Sequence, residues 1–155
     1  MIVPEEFIPK IQILTKQIAD NLDIFNSAGI LSGLAELEIL LNLFERKSEA
    51  ALVDYLYRII DDLEDSDLLD SIKRELATQA IFSHLEVFKE VKDELIITDQ
   101  KMSVVIELYS NLGSSIKEFL QELLKSVQLK SMSEGLFNKF LEVYTYASKI
   151  ESLWG

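Results

Sequence analysis

The chain has 155 residues, of which 48% are apolar and 27% are charged, and its 27 acidic and 15 basic side chains give a net charge of −12. This composition excludes a disordered chain, and the negative charge disfavours binding to DNA, RNA or anionic membrane surfaces, which depends mainly on Lys and Arg. The absence of cysteine excludes disulfides, thiolate catalysis and zinc sites with Cys ligands.

Apolar residues recur every three or four positions along nearly the whole chain, which is the period of an α-helix. Both prolines, Pro4 and Pro9, lie at the start, so no later proline interrupts a helix. Caps and breakers then predict seven helices, at residues 8–25, 29–46, 49–64, 66–96, 99–112, 115–130 and 133–153. We therefore expect one all-α domain over residues 1–155, built as a multi-helix bundle or as a short array of helical repeats.

The predicted second helix is apolar on most of its sides. A helix of this kind is either central in its fold or covered by another chain. Gly29 and Gly33 near its start would let a second backbone approach closely. If a partner covers this helix, the predicted interface residues are Leu37, Leu40, Leu41 and Phe44.

An acidic turn follows the predicted third helix and reads Asp-Asp-Leu-Glu-Asp at residues 61–65. It resembles the aspartate-rich box of prenyl-diphosphate synthases, and the resemblance implies that Asp61, Asp62 and Asp65 hold magnesium against a diphosphate. The second aspartate box and the arginine pair of that family are not found in this chain. The alternative interpretation is a solvated acidic turn that places Asp67 and Asp70 in the favourable first turn of the next helix.

Two further acidic pairs lie at helical spacing, Asp67-x-x-Asp70 and Glu90-x-x-Asp93. They are similar to the paired acidic motifs of all-α nucleotide pyrophosphohydrolases, which hold magnesium. The alternative interpretation is an exposed helix face carrying ion pairs.

A helix boundary is predicted near residue 113. Gly113 follows Leu112 as a natural helix stop. Ser115 and Glu118 then have the spacing of a capping box, which is typical of a helix start. These signals separate the predicted helices 99–112 and 115–130.

The last predicted helix carries two apolar faces that lie roughly 100° apart on a helical wheel. We expect the first face to be core; it consists of Phe137, Phe140, Leu141 and Tyr144. The second face consists of Val143, Ala147, Ile150 and Trp154. Aromatic residues are enriched at the centres of interfaces, so Ile150 and Trp154 are candidate interface residues, and the favoured alternative is that both faces form one wide buried surface.

Catalytic patterns are missing from the sequence. The chain has one histidine, His84, and neither a nucleophile motif nor a glycine-rich phosphate loop. We therefore predict no catalytic residue and no cofactor, and the favoured hypothesis is a non-catalytic interaction or assembly module whose partner is another protein or a second copy. The alternatives are a magnesium-dependent enzyme acting on diphosphate or nucleotide substrates, and an acidic chaperone or inhibitor of a basic protein.

The predicted location is cytoplasmic. The N-terminus lacks the basic start and the apolar run of a secretory signal. No uncharged stretch reaches the roughly 20 residues that a membrane-spanning helix needs.

Overall fold

A computed structural model describes residues 1–64 and 100–154. Within these ranges, a 3-10 turn, Glu5–Phe7, precedes five α-helices: α1 (Ile8–Asp23), α2 (Ser27–Leu43), α3 (Lys47–Glu64), α4 (Gln100–Ser126) and α5 (Glu134–Trp154). Neither of the two described ranges contains a β-strand. The prediction of an all-α fold is therefore confirmed. The predicted helix 66–96 lies outside the described residues.

The predicted boundary at residue 113 is wrong, because α4 runs unbroken through Gly113 for 27 residues. Ser115 does not cap a new helix. Its hydroxyl donates backwards to the carbonyls of Asn111 and Leu112, at 2.8 and 3.1 Å. Apolar side chains are buried on both sides of the glycine, including Leu112 and Ile116. Their burial outweighs the roughly 1 kcal/mol that a glycine costs inside a helix.

The turn between α1 and α2 is closed by a left-handed helix cap. Phe25 has a φ of 44°, and the next N–H, that of Asn26, donates to the carbonyl of Asn21 at 2.9 Å. The carbonyl of Asn26 then accepts the N–H of Ile30, which starts α2 at once. The end of α2 repeats this geometry at Glu45, whose φ is 59°. Such caps satisfy the last carbonyls of one helix while reversing the chain in very few residues.

Two glycines let α1 and α2 pack closely. A Cβ atom on Gly33 would lie 2.5 Å from Cγ1 of Ile18, and one on Gly29 would lie 2.4 Å from Oδ1 of Asn21. Both distances are shorter than any normal contact. The sequence predicts the approach of another backbone at these glycines, and the structure places side chains of α1 there instead. The pairing shows that the two helices run antiparallel.

A buried arginine joins three distant parts of the chain. Arg46, in the turn between α2 and α3, donates from Nε and Nη2 to the two carboxylate oxygens of Glu49 at 2.7 and 2.8 Å. Its other hydrogen bonds, at 2.5 to 3.2 Å, reach the backbone carbonyls of Met1, Ser126, Leu129 and Lys130. A charge taken out of water needs this degree of pairing. The α2–α3 turn is thereby fixed to the N-terminus and to the turn between α4 and α5.

The five helices share one hydrophobic core. Helix α1 packs against α2 and α4, α3 packs against α2 and α5, and α4 packs against α5. Rings from different helices meet inside it, as where Phe25 and Tyr109 lie edge to face with centroids 5.2 Å apart. In an open array each unit contacts only its neighbours along the chain. The contacts of α1 with α4 and of α3 with α5 make this part of the chain a bundle.

An added methyl group should have opposite effects at Gly33, which is packed against α1, and at Gly113, which has open space around it. Gly33→Ala should lower the free energy of unfolding by about 1–3 kcal/mol, because the new Cβ overlaps Ile18. Gly113→Ala is the control: no described atom lies within 4 Å of its Cβ position, so it should stabilise α4 by about 0.5–1 kcal/mol. Urea unfolding of both variants measures the two shifts, and equal shifts would contradict the close packing of α1 on α2.

Removing the Arg46 side chain should be strongly destabilising. Arg46→Met leaves the carboxylate of Glu49 buried without its partner, which should lower the free energy of unfolding by about 3–5 kcal/mol. Arg58→Met is the matched control on the same hairpin. Arg58 pairs with Asp54 at 3.2 Å but is 72% exposed, so its loss should change stability by less than about 1 kcal/mol. A small effect of Arg46→Met in urea unfolding would show that this network is not needed for the fold.

Candidate interaction surface

Helix α5 buries a different face from the one that its sequence predicts. The face expected to be core leaves three large side chains in solvent: Phe137, Leu141 and Tyr144 are 45%, 44% and 54% exposed. The face predicted as secondary is buried instead, at Val143, Ala147 and Ile150. Only Phe140 of the expected core face is buried. The prediction for the first face is therefore wrong at three of its four positions.

Contacts with α3 and α4 fix the rotation of α5. The ring of Phe140 lies between Phe119 of α4 and Tyr55 of α3, at centroid distances of 6.4 and 5.9 Å. Lys139, next to it, forms an ion pair with Glu118 of α4 at 3.0 Å. With both neighbours placed, only the Val143 face can enter the core. Periodicity within α5 could not reveal this, because both faces are apolar at helical spacing.

A groove between α4 and α5 extends the exposed face. It has a volume of about 570 Å³ and a mainly apolar wall, and the described residues that line it are Val104, Leu108, Tyr144, Thr145, Ser148, Lys149 and Ser152. Tyr144 belongs both to this groove and to the exposed stripe. We call Phe137, Leu141 and Tyr144, together with Val104 and Leu108, the α5 face. Large exposed apolar surfaces of this kind are typical of sites where proteins associate.

The charge is divided unevenly between the parts of the chain. Residues 1–64 carry 12 acidic and 5 basic side chains, a net charge of −7. Residues 100–155 carry 6 of each sign, a net charge of zero. The α5 face therefore lies on the electrically balanced part of an acidic protein.

The predicted interface residues of α2 lie in the core of the chain itself. Leu37 and Leu41 are fully buried, and Leu40 and Phe44 nearly so. This matches the first of the two interpretations of a helix that is apolar on most sides, which is a central place in its own fold. Sequence reasoning overlooked the side chains of α2 that do face solvent, Ile39 and Leu43.

The other predicted interface residues belong to α5. Ile150 is buried beside Val143 and Ala147, so its side chain contributes to the core. Trp154 ends α5, and its side chain lies outside the described part of the chain. Contact of either residue with a partner stays a prediction.

The acidic turn is only partly within the described residues. Asp61 and Asp62 are exposed near the end of α3, whereas Asp65 and the pairs at 67–70 and 90–93 lie outside the described ranges. Within those ranges, no three His, Cys, Asp or Glu side chains are grouped closely enough to hold a metal ion. The magnesium hypothesis stays a prediction.

Glu38 of α2 lies in a negative environment. Partial burial raises the pKa of its carboxyl, the nearby carboxylate of Asp54 raises it further, and Arg58 lowers it. The basic group that lowers this pKa is shared, because Arg58 also pairs with Asp54 at 3.2 Å. The hairpin of α2 and α3 thus has acidic charge that its own basic side chains do not balance.

Comparisons with known proteins add no relative. No protein-family model, no curated protein and no solved structure matches the chain. Among the helices that the structure describes, none is both long enough and apolar enough to cross a membrane. Function must therefore be argued from the exposed faces of the bundle.

Replacing Glu38 should change the stability of the fold in a way that depends on pH. Because its pKa is raised in the folded state, ionised Glu38 destabilises the fold above that pKa and has no such effect once protonated. Glu38→Gln should therefore raise the melting temperature at pH 7, by the equivalent of no more than about 0.5 kcal/mol. The gain should be lost as the pH falls through the raised pKa and be absent below the ordinary glutamate value of about 4.3. Thermal unfolding from pH 3 to 8 measures it, and a gain that persists at pH 3 would contradict the electrostatic cause.

Proposed function

We propose that this chain is a non-catalytic assembly module that associates with a second copy of itself through the α5 face. One observation carries the proposal. Helix α5 already has a complete buried face, and yet it holds Phe137, Leu141 and Tyr144 in solvent at successive turns of the same side. A helix that needed only to close the core could carry polar residues there.

The free energy available from covering this face supports the proposal. Fully burying a large apolar side chain is worth about 1.5–3 kcal/mol, so completing the burial of one that is half exposed contributes about 1 kcal/mol. In a two-fold dimer the same patch is used by both copies, so each contribution counts twice. Two of the three residues are aromatic, and aromatic residues are enriched at the cores of interfaces.

The charge distribution favours a second copy on this face. Two copies that met through residues 1–64 would bring two net charges of −7 together. Two copies that met through residues 100–155 would bring no net charge together, and polar neutral residues such as Thr145 and Ser148 line the groove. Like-charge repulsion therefore leaves the α5 face as the favourable place for self-association.

A stable interface needs more area than the exposed stripe of α5 offers, so the groove is part of the proposed contact. Specific protein interfaces bury about 800 Å² on each partner, which is more than one stripe of a single helix offers. Val104 and Leu108 of α4 widen the apolar surface across the groove. An α5 helix of the second copy, laid along the groove, would contact both helices of the hairpin.

Substituting one residue of the α5 face should dissociate the assembly. Wild-type protein should have a native mass of twice 17.7 kDa. Leu141→Asp places a charge at the centre of the interface and should give the monomer mass. Because the position is exposed, the substitution should change the free energy of unfolding by less than about 1 kcal/mol. Native mass spectrometry at micromolar concentration measures both species.

Leu43→Asp is the matched control, since it makes the same change at an exposed position on α2. It should leave the assembly intact. A monomeric wild-type protein, or a folded Leu141→Asp variant with the wild-type mass, would contradict self-association through α5. If Leu141→Asp and Leu43→Asp were both monomeric, the contact between copies would not be specific to the α5 face, and the proposal would be wrong.

A further inference from the structure

A second face of the bundle, on α2, also leaves apolar side chains without a partner. Ile39 and Leu43 lie one turn apart and are 69% and 65% exposed. No other large apolar side chain in the described ranges is more exposed. Helix α2 packs against both α1 and α3, and the high exposure of these two side chains shows that neither contact covers them.

Acidic side chains surround this pair. Glu36 precedes Ile39 by three residues, which places it on the same side of the helix, and Glu45 lies two residues after Leu43, the last residue of α2. Between residues 27 and 64 the chain has eight acidic and three basic side chains. One ion pair of these, Arg46 with Glu49, is buried and mutually neutral. Among the side chains that the structure describes, the exposed and half-buried surface of the hairpin thus keeps six acidic groups against two basic ones.

Glu38 lies on this acidic surface close to groups of both signs. Burial is the main cause that raises the pKa of its carboxyl, the carboxylate of Asp54 raises it further, and Arg58, which also pairs with Asp54, lowers it. A cation brought to this surface would therefore gain attraction from carboxylates that have no full partner within the described hairpin. An anion would be repelled.

These charges decide which kind of molecule fits the face. A second copy of the chain would bring another acidic hairpin and be repelled. Nucleic acid and anionic membrane carry the same unfavourable sign. A polypeptide with basic residues around an apolar strip complements both the exposed pair and the carboxylates that flank it.

We propose that the outer face of α2, formed by Ile39 and Leu43 with Glu36 and Glu38 beside them, binds a basic amphipathic helix of another protein. The partner's apolar strip covers Ile39 and Leu43, and its Lys or Arg side chains pair with the glutamates. This mode of recognition reads apolar residues spaced by three and four along a helix. It is independent of the α5 face, so the chain has separate surfaces for a second copy and for a basic partner.

Binding of a synthetic peptide to the full chain tests the proposal. The probe is an amphipathic helix of leucine and lysine, about 18 residues long, which is enough for a helix to form and to match α2. Fluorescence anisotropy at low salt should show binding that weakens as salt is added. Ile39→Ser combined with Leu43→Ser should weaken it by about tenfold or more. Glu36→Gln combined with Glu38→Gln should weaken it and reduce its salt dependence.

Control variants with matched changes elsewhere distinguish binding of the peptide at α2 from general attraction of a basic peptide to an acidic protein. Ile13→Ser with Ile24→Ser alters one exposed isoleucine of α1 and one directly after it, and Glu5→Gln with Glu6→Gln removes two charges near the N-terminus. Both control variants should keep the wild-type affinity within about twofold. No binding at low salt, or equal losses in the α2 variants and the controls, would overturn the proposal. Circular dichroism of each variant verifies that it is folded.

Discussion

The ends of the helices in this bundle depend on one buried cation, Arg46. Its guanidinium is held by both carboxylate oxygens of Glu49 and by four backbone carbonyls from the N-terminus and the α4–α5 turn. Because the five N–H groups of arginine have fixed directions, these partners can satisfy the charge in only one arrangement. The network therefore sets how the α2–α3 hairpin meets the α4–α5 hairpin, a relation that apolar packing alone specifies less sharply.

The helices around this point divide into two parts with different surfaces. In the first part, glycines let α1 pack closely on α2, and the exposed sides of the α2–α3 hairpin are acidic. In the second, α4 and α5 form an antiparallel hairpin with balanced charge and exposed aromatic rings. The two proposals use this division, since association of like copies needs a neutral face and capture of a basic helix needs an acidic one.

Much of the fold is predictable from local pattern, and much of the candidate surface is not. Four predicted helices agree with α1, α2, α3 and α5 to within a few residues at their ends. The burial of Leu37 and Leu41 follows from the high apolar content of α2. The exposed surfaces depend on how each helix is rotated about its own axis. This rotation decides which stripe of α5 is buried and which two large apolar side chains of α2 stay in solvent. Sequence reasoning selected Ile150 as an interface residue and Tyr144 as core, and the structure places the first inside and the second in solvent.

The sequence by itself determined the helical class, the acidic character and the close approach at Gly29 and Gly33, because each depends on composition or on spacing within one segment. The tertiary structure decided that α4 continues through Gly113, that the Val143 face of α5 is buried, and that Arg46 lies at the junction of the hairpins. Each of these outcomes depends on contacts between residues far apart in the chain, as between Arg46 and Ser126. A local pattern offers a helix two acceptable orientations, and only its packed neighbours select one.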